Sequence, residues 1–244
     1  WKNHRYEDIT LQEIYDILVT DYNVPEMIAK VLQGEEQQLE VKFCTARKKL
    51  KEIYDLAVFL GKTVIITTDM YLDRSTLEKI LMKNGYTKYS ALFISAEERL
   101  TKSSGHLYRE VLDRLQIQPE EMLHIGDNWD SDISQARKLG INTCFVPKAS
   151  DLLNNKIPDM KRKKCRAGFD AALYRLPTGN ILKYSYAKEY LGIRCMLGTV
   201  ANKIFDHPFL SYEPGTDFNR NPYYLGYFAL GMHVFGSVQW LNQL

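Results

Sequence analysis

Between residues 61 and 146, four short apolar runs alternate with amphipathic stretches, and this alternation restricts the chain to few folds. Thr63-Val64-Ile65-Ile66-Thr67 is apolar and β-branched, as expected of a strand buried on both faces. Ala91-Leu92-Phe93-Ile94, Met122-Leu123-His124-Ile125 and Thr143-Cys144-Phe145-Val146 repeat the pattern. A helix is expected to open at the capping-box sequence Ser75-Thr76-Leu77-Glu78 and to stop at Asn84-Gly85. A second places Leu107, Tyr108, Val111, Leu112 and Leu115 on one face, and a third runs from about Asp132 to Leu139, closed by Gly140. Strands alternating with helices predict an α/β fold with a doubly wound, parallel, Rossmann-like sheet.

Residues 1–60 read as helical, 61–150 as the α/β core and 151–244 as a C-terminal extension. Thr10-Leu11-Gln12-Glu13 fits a capping box, and Leu11, Ile14, Tyr15 and Leu18 share the face of the helix it opens. A second helix is expected from Pro25 to Gly34, and a third, longer stretch from Leu39 through Leu60. The extension holds 8 of the 16 Tyr and 6 of the 10 Phe, behind a basic cluster Lys161-Arg162-Lys163-Lys164 that reads as solvated surface. From Asn221 to Leu244 there is no charged Asp, Glu, Lys or Arg, but Pro222, His233 and three glycines favour buried or docking helices over a membrane span.

The net charge of +2 is too small to indicate a nucleic-acid partner. Cysteines 44, 144, 165 and 195 have no ligand-like spacing and read as reduced thiols, consistent with a cytoplasmic protein. The opening Trp1-Lys2-Asn3-His4-Arg5-Tyr6 has neither an initiator Met nor an apolar signal segment; a cleaved leader and a shortened chain both account for it.

Ligands of open α/β sheets bind beyond the carboxyl ends of the strands. There the first strand ends in Thr68-Asp69 and the third in Gly126-Asp127-Asn128, followed by Asp132; Lys102 precedes the helix between them. A hydroxyl, a lysine and clustered carboxylates suit a phosphate and a hard divalent cation. Asp127, with Asn128 or Asp132 behind it, would suit Mg2+, which keeps several waters and uses few carboxylates. The Thr68 hydroxyl would hold phosphoryl oxygens and Lys102 would offset their charge. Each residue also has a plainer role: Thr68 as a turn cap, Asp132 as a helix N-cap or first-turn acid, Lys102 as a surface lysine. His124 reads as a hydrogen-bonded core histidine, and Trp129 as lid or packing.

Their order and placement resemble the haloacid dehalogenase-like (HAD) hydrolase superfamily. Val64-Ile65-Ile66-Thr67-Thr68 is similar to its second motif, Lys102 to its third, and Gly126-Asp127 through Asp132 to its fourth. Thr68-Asp69-Met70-Tyr71-Leu72, Lys102-Ser103-Ser104-Gly105 and His124-Ile125-Gly126-Asp127-Asn128 resemble HAD-type proteins found beside bacterial glycosyltransferases. The resemblance implies a Mg2+-dependent phosphohydrolase acting through an aspartyl-phosphate on a small phosphorylated metabolite, such as a sugar phosphate of surface-polysaccharide metabolism. It assigns Thr68, Asp69 and Lys102 to catalysis, Asp127, Asn128 and Asp132 to the metal, and the N-terminal helices to a cap over the site. The superfamily's first motif, a strand ending DxD that carries the nucleophile, has no match. Asp21, in Ile17-Leu18-Val19-Thr20-Asp21-Tyr22-Asn23, imitates it, but the surrounding spacing favours a helix. By the resemblance that strand pairs between the first and third strands here and lies upstream of Trp1. The alternative is an inactive scaffolding module that docks on a glycosyltransferase.

Overall fold

In the computed structural model the chain divides between Val146 and Pro147, and residues 6–148 are described. The expectations for the C-terminal extension, including Cys165 and Cys195, lie outside them.

Thr10 opens α1 (Leu11–Thr20) with the expected capping box: its hydroxyl accepts from the Glu13 amide, and the Glu13 carboxylate accepts from the Thr10 amide. The second helix does not stop at Gly34. α2 (Glu26–Phe43) runs through that residue, and the break falls instead at Cys44–Arg47, before α3 (Lys48–Phe59). A single helical glycine costs only about 1 kcal/mol relative to alanine, which neighbouring turns readily offset. The actual break is tied to the core: the Asn84 side chain accepts from the Ala46 amide (2.7 Å) and donates to the Cys44 carbonyl (3.1 Å).

The core then alternates as expected: β1 (Ile65–Thr68), α4 (Arg74–Lys83), β2 (Ala91–Ile94), α5 (Ser95–Glu98), α6 (His106–Leu115), β3 (Leu123–Gly126), α7 (Gln135–Lys138) and β4 (Asn142–Phe145). α4 begins two residues before its expected capping box. Asp73 is the N-cap, its carboxylate accepting from the Thr76 amide, and Ser75 lies inside the first turn, donating to Asp73 Oδ1 (2.7 Å). A carboxylate is favoured there because it meets both the free amides and the positive end of the helix dipole.

β1 pairs in parallel with β2, placing Thr68 beside Ile94, and β3 pairs in parallel with β4. The four strands form two pairs, with no hydrogen-bonded ladder between β1 and β3 among the described residues. Helices cover both faces of β1–β2. Leu92 and Ile94 pack in one cluster with Leu77 of α4 and with Leu11, Tyr15 and Ala29 of the N-terminal helices. Phe93 faces the other way, into a cluster with Leu107, Tyr108 and Val111 of α6, and with Met122, Ala136 and Ile141 around the second pair. This is the doubly wound arrangement of an α/β core, with α6 shared by both strand pairs. Among the described residues no helix is long and apolar enough to cross a membrane.

Candidate functional site

β1 and β3 deliver their polar termini to one region, and Lys102 joins them. Its amide donates to Asp69 Oδ1 (3.2 Å), and its Nζ lies 2.6 Å from Asp132 Oδ1. The Lys102 side chain is 12% exposed and that of Asp132 is 5%, so this is a nearly dry ion pair and not the surface lysine of the plainer reading.

Asp132 is not the helix N-cap but a first-turn acid of the helical segment Trp129–Ser134. Its Oδ2 reaches back to accept from the amides of Asp127 (3.1 Å) and Asn128 (3.0 Å), fixing the turn after β3. Gly126 makes this possible, because a Cβ there would overlap the Asp132 carboxyl. Burial alone would push the Asp132 pKa up, but His124, Lys102 and the Asn128 amide outweigh it and hold the carboxyl well below the usual carboxylate range. Asn128 takes the capping role: its Oδ1 accepts from the amides of Asp130 (3.0 Å) and Ser131 (3.2 Å) and opens the wide turn Trp129–Ser134 that precedes α7. The segment is a wide π-type helical stretch that runs directly into α7, so helical structure begins at Trp129, three residues before the expected start near Asp132.

The carboxylates therefore divide their work. Asp132 and Asn128 have their side-chain oxygens engaged in building the turn and in pairing Lys102, and Asp127 lies exposed at the strand end. Among the described residues no group of three or more His, Cys, Asp or Glu side chains forms a metal cage. The all-oxygen donor set fits a hard cation such as Mg2+, which is held by one or two carboxylates and otherwise by water and substrate oxygens. Asp132 fixes the backbone amides of Asp127 and Asn128 beside it.

Asp69 is exposed, yet loss of solvation around its carboxyl pushes its pKa up. The charges of Asp132 and Asp8 push the same way, against the Lys102 charge. Thr68 ends β1 half-buried. Asp21, by contrast, is the C-cap of α1, at the end of a helix and not of a strand, which removes it as a nucleophile. His124 is buried with its ring edge-to-face against Tyr108 (centroids 5.1 Å apart). Its Nε2 lies 3.4 Å from Asp132 Oδ1, a polar contact outside strict hydrogen-bond geometry, so it is a core histidine whose polar partner is the Asp132 carboxylate. Trp129 packs edge-to-face on Phe145.

The match of residues 3–146 to a family described as haloacid dehalogenase-like hydrolase decides the affiliation. The chain belongs to the haloacid dehalogenase-like hydrolase family. No curated protein matches it. Similar solved structures include a dehalogenase with an intermediate complex, at 19% identity and a TM-score of 0.46, covering 59% of this chain and 63% of that one. Another is a 2-haloacid dehalogenase from Pseudomonas syringae pv. Tomato DC3000, at 14% identity and a TM-score of 0.43, covering 62% of each chain. The chain thus spans less than two thirds of the length of these structures.

Three residues that sequence reasoning missed also bear on the site. Ser95 is fully buried; its Oγ accepts from the Met70 amide (3.0 Å) and donates to the Asp8 carboxylate, bracing the backbone just after Asp69. Glu7 binds the loop that carries Lys102. A buried serine at a strand end and two acids ahead of a helix have no distinctive spacing, so the sequence offered no signal for them.

Proposed function

We propose that this haloacid dehalogenase-like hydrolase is a Mg2+-dependent phosphohydrolase that acts through an aspartyl-phosphate on a small phosphorylated metabolite. The observation that carries the reading is the nearly buried Lys102, whose backbone amide donates to Asp69 after β1 and whose ammonium pairs with Asp132 after β3. A fixed cation at the carboxyl ends of parallel strands stabilises charge developing on a transferring phosphoryl group without reorganising as the reaction proceeds. In this reading the Thr68 hydroxyl donates to a phosphoryl oxygen. Lys102 neutralises charge on the phosphoryl group and on the nucleophile, while Asp132 keeps the ammonium aimed. Asp127 would hold Mg2+, which when bound adds Lewis-acid stabilisation of phosphoryl oxygens.

No described residue occupies the nucleophile's place. We assign it to an aspartate on a further strand pairing between β1 and β3, where each keeps an unpaired edge among the described residues. Attack by that carboxylate on phosphorus releases the alcohol, and water then cleaves the acyl-phosphate to return the carboxylate and inorganic phosphate. A second reading, an inactive module docked on a glycosyltransferase, draws on the same absence of a placed nucleophile. Hydrolysis of p-nitrophenyl phosphate by a protein that includes that strand separates the two. Activity should require Mg2+, vanish in EDTA and fall about 100-fold or more in both Asp127→Ala and Lys102→Ala. Activity unaffected by EDTA would overturn the metal assignment, and no turnover of any phosphate ester would favour the scaffold.

A further inference from the structure

Glu7 lies ahead of the first helix and outside every motif in the sequence, yet its side chain gathers the loop on both sides of Lys102. One carboxylate oxygen, Oε2, accepts from the Thr101 amide (2.8 Å), the Thr101 hydroxyl (3.3 Å) and the Ser104 hydroxyl (2.7 Å). The other faces His106 Nδ1 at the start of α6. The Glu7 amide donates to the Arg99 carbonyl (3.2 Å), so the backbone of the segment is fastened as well as its side chain. Arg99 in turn pairs with Glu13 of the capping box (2.6 Å) and donates to the Asp8 carbonyl (3.2 Å). One carboxylate thus bridges residues 101, 104 and 106, and the segment holding it is anchored to the start of α1.

Besides Glu7, the loop is held by the Lys102 amide on Asp69, by Gln135 donating to the Ser103 carbonyl, and by turn bonds from the Gly105 amide to Lys102 and from the Leu107 amide to Thr101, so Glu7 is the side chain that grips it at several points at once. Residues 101–105 form no helix or strand, and Gly105 takes the left-handed φ of +84° that turns the chain into α6. Lysine has a long flexible stem, and its ammonium is only as well placed as the backbone beneath it. Displacements of about 1 Å at a reacting centre cost up to roughly 100-fold in rate. We propose that Glu7 is a positioning residue: by clamping Thr101 and Ser104 it holds Lys102 on Asp132 and in line with the strand ends. The effect on turnover rests on the phosphohydrolase reading above; the effect on Lys102 itself does not.

Two readouts on the full chain test this in Glu7→Ala, Glu7→Gln and Ser104→Ala. The first is acetylation of Lys102 by an N-hydroxysuccinimide ester, scored by mass spectrometry against exposed Lys138. Losing the clamp should raise the Lys102-to-Lys138 ratio about fivefold or more in Glu7→Ala. Glu7→Gln, which keeps an acceptor, should stay near the parent, and Ser104→Ala should fall between. A general loss of stability would also unmask Lys102, so each variant's urea midpoint is measured beside it, and the ratio counts only for variants labelled where they remain folded. The second readout is turnover of p-nitrophenyl phosphate, where Glu7→Ala should lower kcat about tenfold with little change in KM, and Glu7→Gln should recover most of it. An unchanged labelling ratio in Glu7→Ala overturns the proposal; should that variant not fold, an unchanged ratio in Ser104→Ala does so. If the parent hydrolyses no phosphate ester, the phosphohydrolase reading fails and the labelling ratio still decides the role of Glu7.

Discussion

Asp132 illustrates why a buried charge is best judged by what its loss would strand. Its two oxygens neutralise Lys102 and hold the amides of Asp127 and Asn128, all in a pocket that leaves its side chain 5% exposed. Removing the carboxylate leaves an ammonium unpaired in low dielectric, and breaking such a pair typically costs about 3–5 kcal/mol. Asp132→Ala should therefore lose stability in that range by urea unfolding, and adding Lys102→Met should recover much of it. If the double variant is as unstable as the single, the pair is not what Asp132 sustains. Its place near Asp127 and Lys102 was legible in the spacing of polar residues after strand-like runs. Its role as a backbone acceptor was not, because amides carry no sequence signature and the carboxylate reaches backwards across a turn.

At the scale of elements, α4 shows both how much the pattern specified and where it failed. The helix existed where the apolar spacing placed it and ended at Asn84, with Gly85 at a φ of +77°. The start differs from the expected one because two cap sequences overlap, Asp73 through Thr76 and Ser75 through Glu78, and only tertiary contact separates them. Gln37 of α2 donates to Asp73, which ties the N-cap to the neighbouring helix. Burial pushes the Asp73 pKa up, but the hydrogen bonds from Ser75, Thr76 and Gln37 outweigh it and lower the value from 3.8 to about 2. The folded form thus holds its proton less tightly than the unfolded chain. The stabilisation is complete above the unfolded value and is lost as pH falls through the folded one. Asp73→Ala should cost about 1 kcal/mol at neutral pH, and the gap from the parent should close between about pH 4 and pH 2. Urea midpoints measured across that range check it; a gap constant with pH would mean that the charge of Asp73 contributes nothing. Gly34 makes the same point from the other side, since its intrinsic preference predicted a stop that the 18-residue α2 overrides.

Across the whole of the described core the strands form two parallel pairs without a ladder between β1 and β3, as the family resemblance, which sets a further strand between them, leads one to expect. Alternation of strand and helix is a local property, but continuity of a sheet depends on which strand lies between which, and apolar runs do not encode that order. Leu123 and Ile125 make the consequence visible: they are 59% and 39% exposed on a strand whose composition reads as buried on both faces. Their neighbour His124 is buried against Tyr108, so β3 is covered on the α6 side and open on the other among the described residues. Helix α6 therefore holds the two pairs in one cooperative unit. Leu107, Tyr108 and Val111 have no exposed surface, and they pack with Ile65 and Phe93 of one pair and with Met122, Ala136 and Ile141 beside the other. Truncating Leu107 to alanine should cost about 2–5 kcal/mol, since the site is close-packed and lined from both sides. Because the cavity opens between the pairs, amide hydrogen exchange should quicken in β1–β2 and β3–β4 by a similar factor. Faster exchange confined to one pair would show that each is stabilised separately and that α6 does not couple them.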